Sequence, residues 1–503
     1  MPFMWRIWGR ASGPSRRHRR PVRVAAFLAV ASLGAATALL GTAAAPATAE
    51  SGATTTTTLP FPDGLVHIDG HGFGPGVGMG QWGAFGYAAV RHKAYGWILA
   101  HFYGGTHAAT TTDRNISVGI IENEGAPVVL TSPTKYRFGG VRVPGGDAAE
   151  AVLDTTTGLW DMYTAKSCAG SGGWTQVASG VTRPQAVPAS QHPQAPAGDL
   201  LTICRADGVD MTVRGIVRAV ANDASGSPVA ETVNVLPLDE YLADVVPSES
   251  SSGWGRVGGT VGAPQGEPWG FQELEAQAVA ARTYALAYVA DGGWQGYAGI
   301  CDSDYCQSYP GTTNESAIST LAVRDTAGLY LTLAGQPAPT QYSASTGGWT
   351  APSLFPAVID RGDSVCLQNT SYWTCNAQHD WQATVPVKAV EATFPTIGTL
   401  EAVHVLSRDG LGQWQGRALT IKIRGSKGAV VETGDTFQSQ FGLYSNWFII
   451  THPTTTTSAS SASRSGSWTA TTSRPAPGAT WPLQGGTGLL PMRPAGGLRT
   501  HPR

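Results

Sequence analysis

The chain has 503 residues, is 42% hydrophobic and only 14% charged, and is rich in glycine (64) and proline (33). That length and apolar content can fill a sizeable core, and the glycine and proline favour a loop-rich, strand-containing fold over a helical bundle. Setting aside the seven arginines before residue 24, 26 of the 33 Lys and Arg face 35 Asp and Glu, a formal net charge of −9 instead of −2; so acidic a body is a poor partner for nucleic acid or an anionic membrane.

Residues 1–49 read as a secretory signal peptide. Arg6 to Arg23 carry no acid among them, residues 24–40 are apolar, and small residues end at Ala47-Thr48-Ala49. The apolar run is short for a membrane span and the small-residue exit favours cleavage over an uncleaved anchor. The expectation is a secreted protein, extracellular or wall-associated, with no stable span after cleavage. Cys168, Cys204, Cys301, Cys306, Cys366 and Cys375 all follow this segment. Their even number in an oxidising compartment implies disulfides, and proximity suggests 301–306, 366–375 and 168–204 among 15 possible pairings.

Residues 50–65 are a Thr-rich lead-in expected to be disordered. Residues 70–105 open as a glycine-rich loop whose polar side chains are His71 and Gln81. A helical pattern follows, with Trp82, Phe85 and Ala89 on one side, then a short helix around 97–102. GMGQWG at 78–83 fits GxGxxG, but without a preceding buried strand it is a weak dinucleotide signal. Residues 113–230 alternate in short apolar runs between Gly, Pro and Asp clusters, a β-rich insertion, and 231–450 form the core. The amphipathic helix 271–290 sets Gln277, Ala281, Tyr284 and Tyr288 on one face and Leu274, Ala278 and Ala285 on the next. Its Arg282 is either an ion-pair neighbour of Glu275 or a donor to sugar hydroxyls or carboxylates. A helix at 315–325, strands at 329–333 and 340–343 and a closing segment at 435–450 follow. Residues 451–503 are Thr/Ser-rich, then Pro/Gly-rich, and read as a disordered tail without an LPxTG signal. The fold class is α+β, a sheet-rich mixed body with a few packed helices.

Glu249, in VVPSESSSGW, reads as a loop carboxylate that Val245, Val246 and Pro247 could desolvate toward general-acid range. Composition alone favours a solvated surface acid. There is no GxSxG, HExxH or supported SxxK pattern. Ser343 and Ser345 in SASTGGW have no evident His partner and suit a polar substrate-lining turn more than a nucleophile. CDSDYC at 301–306 is weak as half a zinc site, and His379 is isolated in sequence.

Six segments together resemble the SpoIID/LytB family: LPLDEYLADVVPSES (236–250), ELEAQAVAARTYA (273–285), CDSDYCQSYPG (301–311), YSASTGGWT (342–350), FQSQFGLYSNWF (437–448) and GHGFGPGVGMGQWGAFGYA (70–88). The resemblance implies a mixed α/β body with the helix from Glu273 packed on it. It also implies a lytic transglycosylase that cleaves peptidoglycan glycan strands between N-acetylmuramic acid and N-acetylglucosamine, with Glu249 as acid and then base and 1,6-anhydro ends as product. His71, Gln81, Gln277, Arg282, Tyr284, Ser343 and Ser345 are the candidate substrate contacts, as polar or aromatic side chains of these segments. The alternative is a non-catalytic wall-binding protein or amidase enhancer, whose partner would be a cell-wall amidase. Three departures stand out. The glycine-rich motif precedes the rest, an order resembling a circular permutation, so the Gly70 segment should pack near 437–448. Pro75 and Gly80 replace the motif's second His and its Ser. Tyr305 stands where some members carry a zinc-binding His, which argues for a disulfide there and for no cofactor.

Overall fold

The computed structural model describes residues 61–451 except 113, 191–198, 224–225 and 369–372. The expected signal peptide, most of the lead-in and the tail from 452 lie outside the described residues. The architecture is α+β.

The alternating segments of the insertion become strands, as a period of two demands. Thr175–Val181, Leu159–Ala165, Ala148–Asp154, Val128–Thr131, Leu201–Ile203 and Met211–Val213 form a six-stranded sheet in that order. A seven-stranded sheet runs Ile300–Cys301, Asn115–Gly119, Val229–Pro237, Ile216–Asn222, Gln185–Val187, Tyr136–Phe138 and Val141–Val143. Val229–Pro237 is buried along its length and leads straight into the first helix of the site. Side chains of both sheets, among them Val118, Leu130, Trp160 and Val217, join one core with the helices.

Five helices matter for the site: α1 (Gln81–Ala89), α2 (Tyr95–Phe102), α3 (Leu238–Glu249), α4 (Phe271–Ala290) and α5 (Ala317–Asp325). Helix α4 is buried from Phe271 through Thr283 and is packed by α1, α2, α3 and α5. Ala276, Ala278, Ala280, Ala281 and Ala285 are fully buried, and their small side chains let the neighbours approach.

The structure corrects the loop assignment of Glu249: it is the last residue of α3. The reason is a helical period overlooked in the sequence. Leu238, Tyr241, Leu242, Val245 and Val246 fall at i, i+3, i+4, i+7 and i+8, and all are buried. Pro247 removes one backbone donor in the last turn. The Ser248 hydroxyl donates to the Asp244 carbonyl there at 2.7 Å.

Leu65–His71 is the central strand of an antiparallel trio, with Asp380–Pro386 on one side and Phe448–Thr451 on the other. Gly74 N–H donates to the Tyr444 carbonyl at 2.8 Å, and Ser445 Oγ to the His71 carbonyl at 2.6 Å. The glycine-rich segment therefore packs against 437–448, as the permuted order requires. A short parallel pair sets Met79 opposite Tyr342 and Gly80 opposite Ser343. Disulfides join Cys168–Cys204, Cys301–Cys306 and Cys366–Cys375.

Candidate active site around Glu249

Three elements converge on Glu249. Helix α3 carries it at its C-terminal end, partly exposed. The segment after the Cys301–Cys306 disulfide supplies the Ser308 backbone N–H, which donates to Glu249 Oε1 at 2.8 Å. The parallel pair places Tyr342 beside the start of α1, where Gln81 is the first residue.

Burial is the largest influence on this carboxyl group and lifts it to about 7. The Ser308 N–H, the Gln81 amide and the Tyr342 hydroxyl oppose the rise, and Asp304 adds to it. Gln81 Nε2 lies near enough to act on the charge yet completes no ordinary hydrogen bond at rest. Such contacts tighten when substrate binds. Because Oε1 is occupied by a backbone donor, the proton of the acid form belongs on Oε2.

Behind the carboxyl group lies a tyrosine–glutamine network. Tyr241 donates to Gln307 Oε1 at 3.1 Å, and Gln307 Nε2 donates to the Ala281 carbonyl at 3.2 Å and to Tyr342 Oη at 3.0 Å. Tyr284, partly exposed on α4, has its ring 6.4 Å from that of Tyr342. Burial raises Tyr241, Tyr284 and Tyr342, and the nearby Glu249 raises each further, so all three stay protonated donors.

Among the sequence candidates, Gln81 and Tyr284 share the neighbourhood of Glu249. Gln277 is fully buried on α4, and neither end of its amide has a hydrogen-bond partner within the protein. Arg282 is also fully buried. Its partner is Asp239 at 2.8 Å, not Glu275 as the helical spacing suggested, and it donates to the Val323 and Leu329 carbonyls as well. Glu275 instead accepts from Gln265 and Gln272.

His71, Ser343 and Ser345 belong to a second cluster. His71 Nδ1 bonds Asp380 at 2.6 Å and its ring stacks on Trp414 at 4.1 Å. Ser343 Oγ donates to the Val77 carbonyl at 3.4 Å. Ser345 is fully buried, and its hydroxyl donates to Asp363 at 2.8 Å. His379 Nδ1 bonds the same carboxylate at 2.7 Å, which raises the pKa of the imidazole. Asp363 thus clamps the SASTGGW turn. The residues overlooked in the sequence are Tyr342, Gln307 and Ser308. The available signal was their position, directly before SAST and directly after Cys306.

Comparison with known proteins bears on these elements. Residues 228–333, from the strand before α3 to the strand after α5, match the family model described as stage II sporulation protein, SpoIID. The match covers about a fifth of the chain. No curated protein and no solved structure matches it. The matched stretch is similar to a sporulation and cell-wall related family, and it contributes Glu249, Tyr241, Tyr284, Gln307 and Ser308 to the site. Gln81 and Tyr342 come to the site from outside the matched span. No described helix is long and apolar enough to cross a membrane.

Proposed function

We propose that the protein cleaves peptidoglycan glycan strands as a lytic transglycosylase, with Glu249 as the single acid and base. The observation that carries this reading is a partly exposed carboxyl group held near pKa 7 by burial, with neutral donors around it. At neutral pH such a group is divided between its acid and its base form, which suits both halves of the reaction. Protonated Oε2 gives its proton to the glycosidic oxygen as the bond from C1 of N-acetylmuramic acid breaks. The carboxylate then takes the proton of that sugar's C6 hydroxyl as its oxygen bonds C1. The product is a 1,6-anhydro ring, the acid form is restored, and no water or second carboxylate is consumed.

The test is digestion of purified glycan strands, with and without stem peptides, by the processed chain and by Glu249→Gln. The expected result is anhydro-muramyl ends in the mass spectrum of the wild-type digest. The variant should lose at least about 100-fold in rate, as removal of an essential acid does. Wild-type protein that sediments with walls but yields no anhydro ends would leave the wall-binding or amidase-enhancing role in its place.

A further inference from the structure

Helix α4 carries a polar stripe along the seam between two apolar clusters. Ala276, Val279 and Ala280 pack with α1 and α2, and Leu274, Ala278 and Ala281 pack with α3. Glu273 and Gln277, one helical turn apart, lie on the line between these faces. Both are fully buried. Glu273 Oε1 accepts from Ser250 Oγ at 2.7 Å; Oε2 has no partner within the protein, and neither has either amide atom of Gln277. Three polar atoms of one stripe therefore call for a ligand, because burying them without hydrogen bonds costs stability that an apolar side chain at 277 would not. Their chemistry names it. Ser250 occupies Oε1, so the proton of a neutral Glu273 stands on Oε2 as a donor. Burial pushes this carboxyl group up to about 8, which keeps that proton in place at neutral pH. Gln277 adds an acceptor and the two hydrogens of its NH2 group. A cation would leave those hydrogens unpaired, an anion would leave the amide oxygen unpaired, and an apolar group would satisfy nothing. Water gives and takes in one small volume, and an internal water binds about three polar groups.

We infer that Glu273 and Gln277 hold an internal water on α4, and that this unit positions Glu249 by fixing Ser250. The water site stands apart from the reaction; the positioning role rests on the acid–base reading of Glu249. Pro247 supplies no backbone N–H to the last turn of α3, so side chains help to secure that turn. Ser248 Oγ closes it onto the Asp244 carbonyl, and Ser250 Oγ ties it to Glu273. One turn beyond Gln277, the Ala281 carbonyl accepts from Gln307, whose neighbour Ser308 donates to Glu249 Oε1. Along α4, Gln277 thus lies between the two attachments that hold the carboxyl group from either side. Full burial keeps Gln277 itself from the glycan, so its effect on Glu249 passes through the water, Glu273 and Ser250.

The test pairs a count with a rate. Magnetic relaxation dispersion of the solvent counts long-lived internal waters in the processed chain, with no substrate present. Gln277→Leu keeps side-chain bulk and removes both amide atoms, and it should hold fewer long-lived waters than the wild type. On glycan strands it should lower kcat about tenfold and leave KM unchanged, as a misplaced acid does. An unchanged water count overturns the water site. An unchanged kcat overturns the positioning role, and a raised KM beside it returns Gln277 to substrate contact. If the leucine variant does not fold, high-resolution diffraction from wild-type crystals decides. A water oxygen within about 3.2 Å of Glu273 Oε2 and of a Gln277 amide atom supports the inference; both amide atoms bonded to protein groups overturn it. Loss of the transglycosylase reading shows separately, as absence of anhydro ends from a wild-type protein whose water count still falls in the variant.

Discussion

Glu273 and Glu275 lie on buried turns of α4, and among the described residues no cation pairs with either. Glu273 accepts from Ser250 Oγ at 2.7 Å, and its other oxygen has no partner. Burial pushes Glu273 up to about 8 and Glu275 to about 7 from an ordinary 4.5. The folded chain therefore holds protons that the unfolded chain releases between pH 4.5 and 8. Stability must fall as pH rises through that window. Glu273 alone accounts for roughly 4 kcal/mol at its upper end. Glu273→Gln keeps the acceptor for Ser250 and removes the ionisation. Its thermal midpoint should match the wild type near pH 5 and exceed it by a few degrees at pH 8; a gain of equal size at both pH values would contradict the linkage. Glu249 differs from these acids in being partly exposed, and that contrast was not readable from composition. Val245, Val246 and Pro247 signalled its desolvation. Its partners did not show, because Ser308 is 59 positions away and Tyr342 arrives through a pairing of two residues with two.

At the scale of elements, α3 was legible in its apolar spacing and was misread because Pro247 and the serines that follow look like a loop. Helix α4 was read with its observed limits, since its pattern is long and uninterrupted. The element that assembles the site was the least visible: the parallel pair between Met79–Gly80 and Tyr342–Ser343. It is held by close backbone approach at Gly78, where φ is +68° and an added Cβ would stand 1.9 Å from the Gln341 carbonyl. Gly64 has φ +73° and open space around it. Gly64→Ala should cost about 1 kcal/mol in denaturant unfolding from backbone strain alone. Gly78→Ala should cost about 2 kcal/mol more and also impair glycan cleavage, because the shift moves Tyr342 away from Gln81. Equal costs for the two substitutions would remove the steric argument. Gly80 is restricted similarly: a Cβ there would meet Asp360 Oδ2 at 2.6 Å and Thr346 Cγ2 at 2.7 Å. The Cys301–Cys306 bridge closes a short loop immediately before Gln307 and Ser308. Replacing both cysteines with serine should cost about 2 kcal/mol in denaturant unfolding. It should also raise the Glu249 midpoint in a carboxyl titration, because the Ser308 donor is then less firmly held.

At the scale of the whole molecule, the glycine-rich segment is tied to the end of the described chain by strand pairing. Leu65–His71 runs antiparallel to Phe448–Thr451, with His67 opposite Thr451. The end of one strand therefore lies beside the beginning of the other, as in a β-hairpin from which the turn has been omitted. A turn of about four Gly-rich residues can bridge such strands. A chain that starts at residue 114, runs to 451, passes through that turn and ends with 63–112 would place the glycine-rich segment after residues 437–448. The cut falls between the strands His107–Thr110 and Asn115–Gly119, so it divides neither. This rearranged protein should keep the wild-type circular dichroism spectrum, a thermal midpoint within a few degrees and the same cleavage products. Deleting 63–71 from the native order should do the opposite, because it removes the middle of three strands and leaves the edges of Asp380–Pro386 and Phe448–Thr451 unpaired. Soluble, monomeric protein from that deletion, by size-exclusion chromatography, would show that the strand does not close the fold. Insoluble protein from the rearranged chain would show that the order of synthesis matters more than the final contacts.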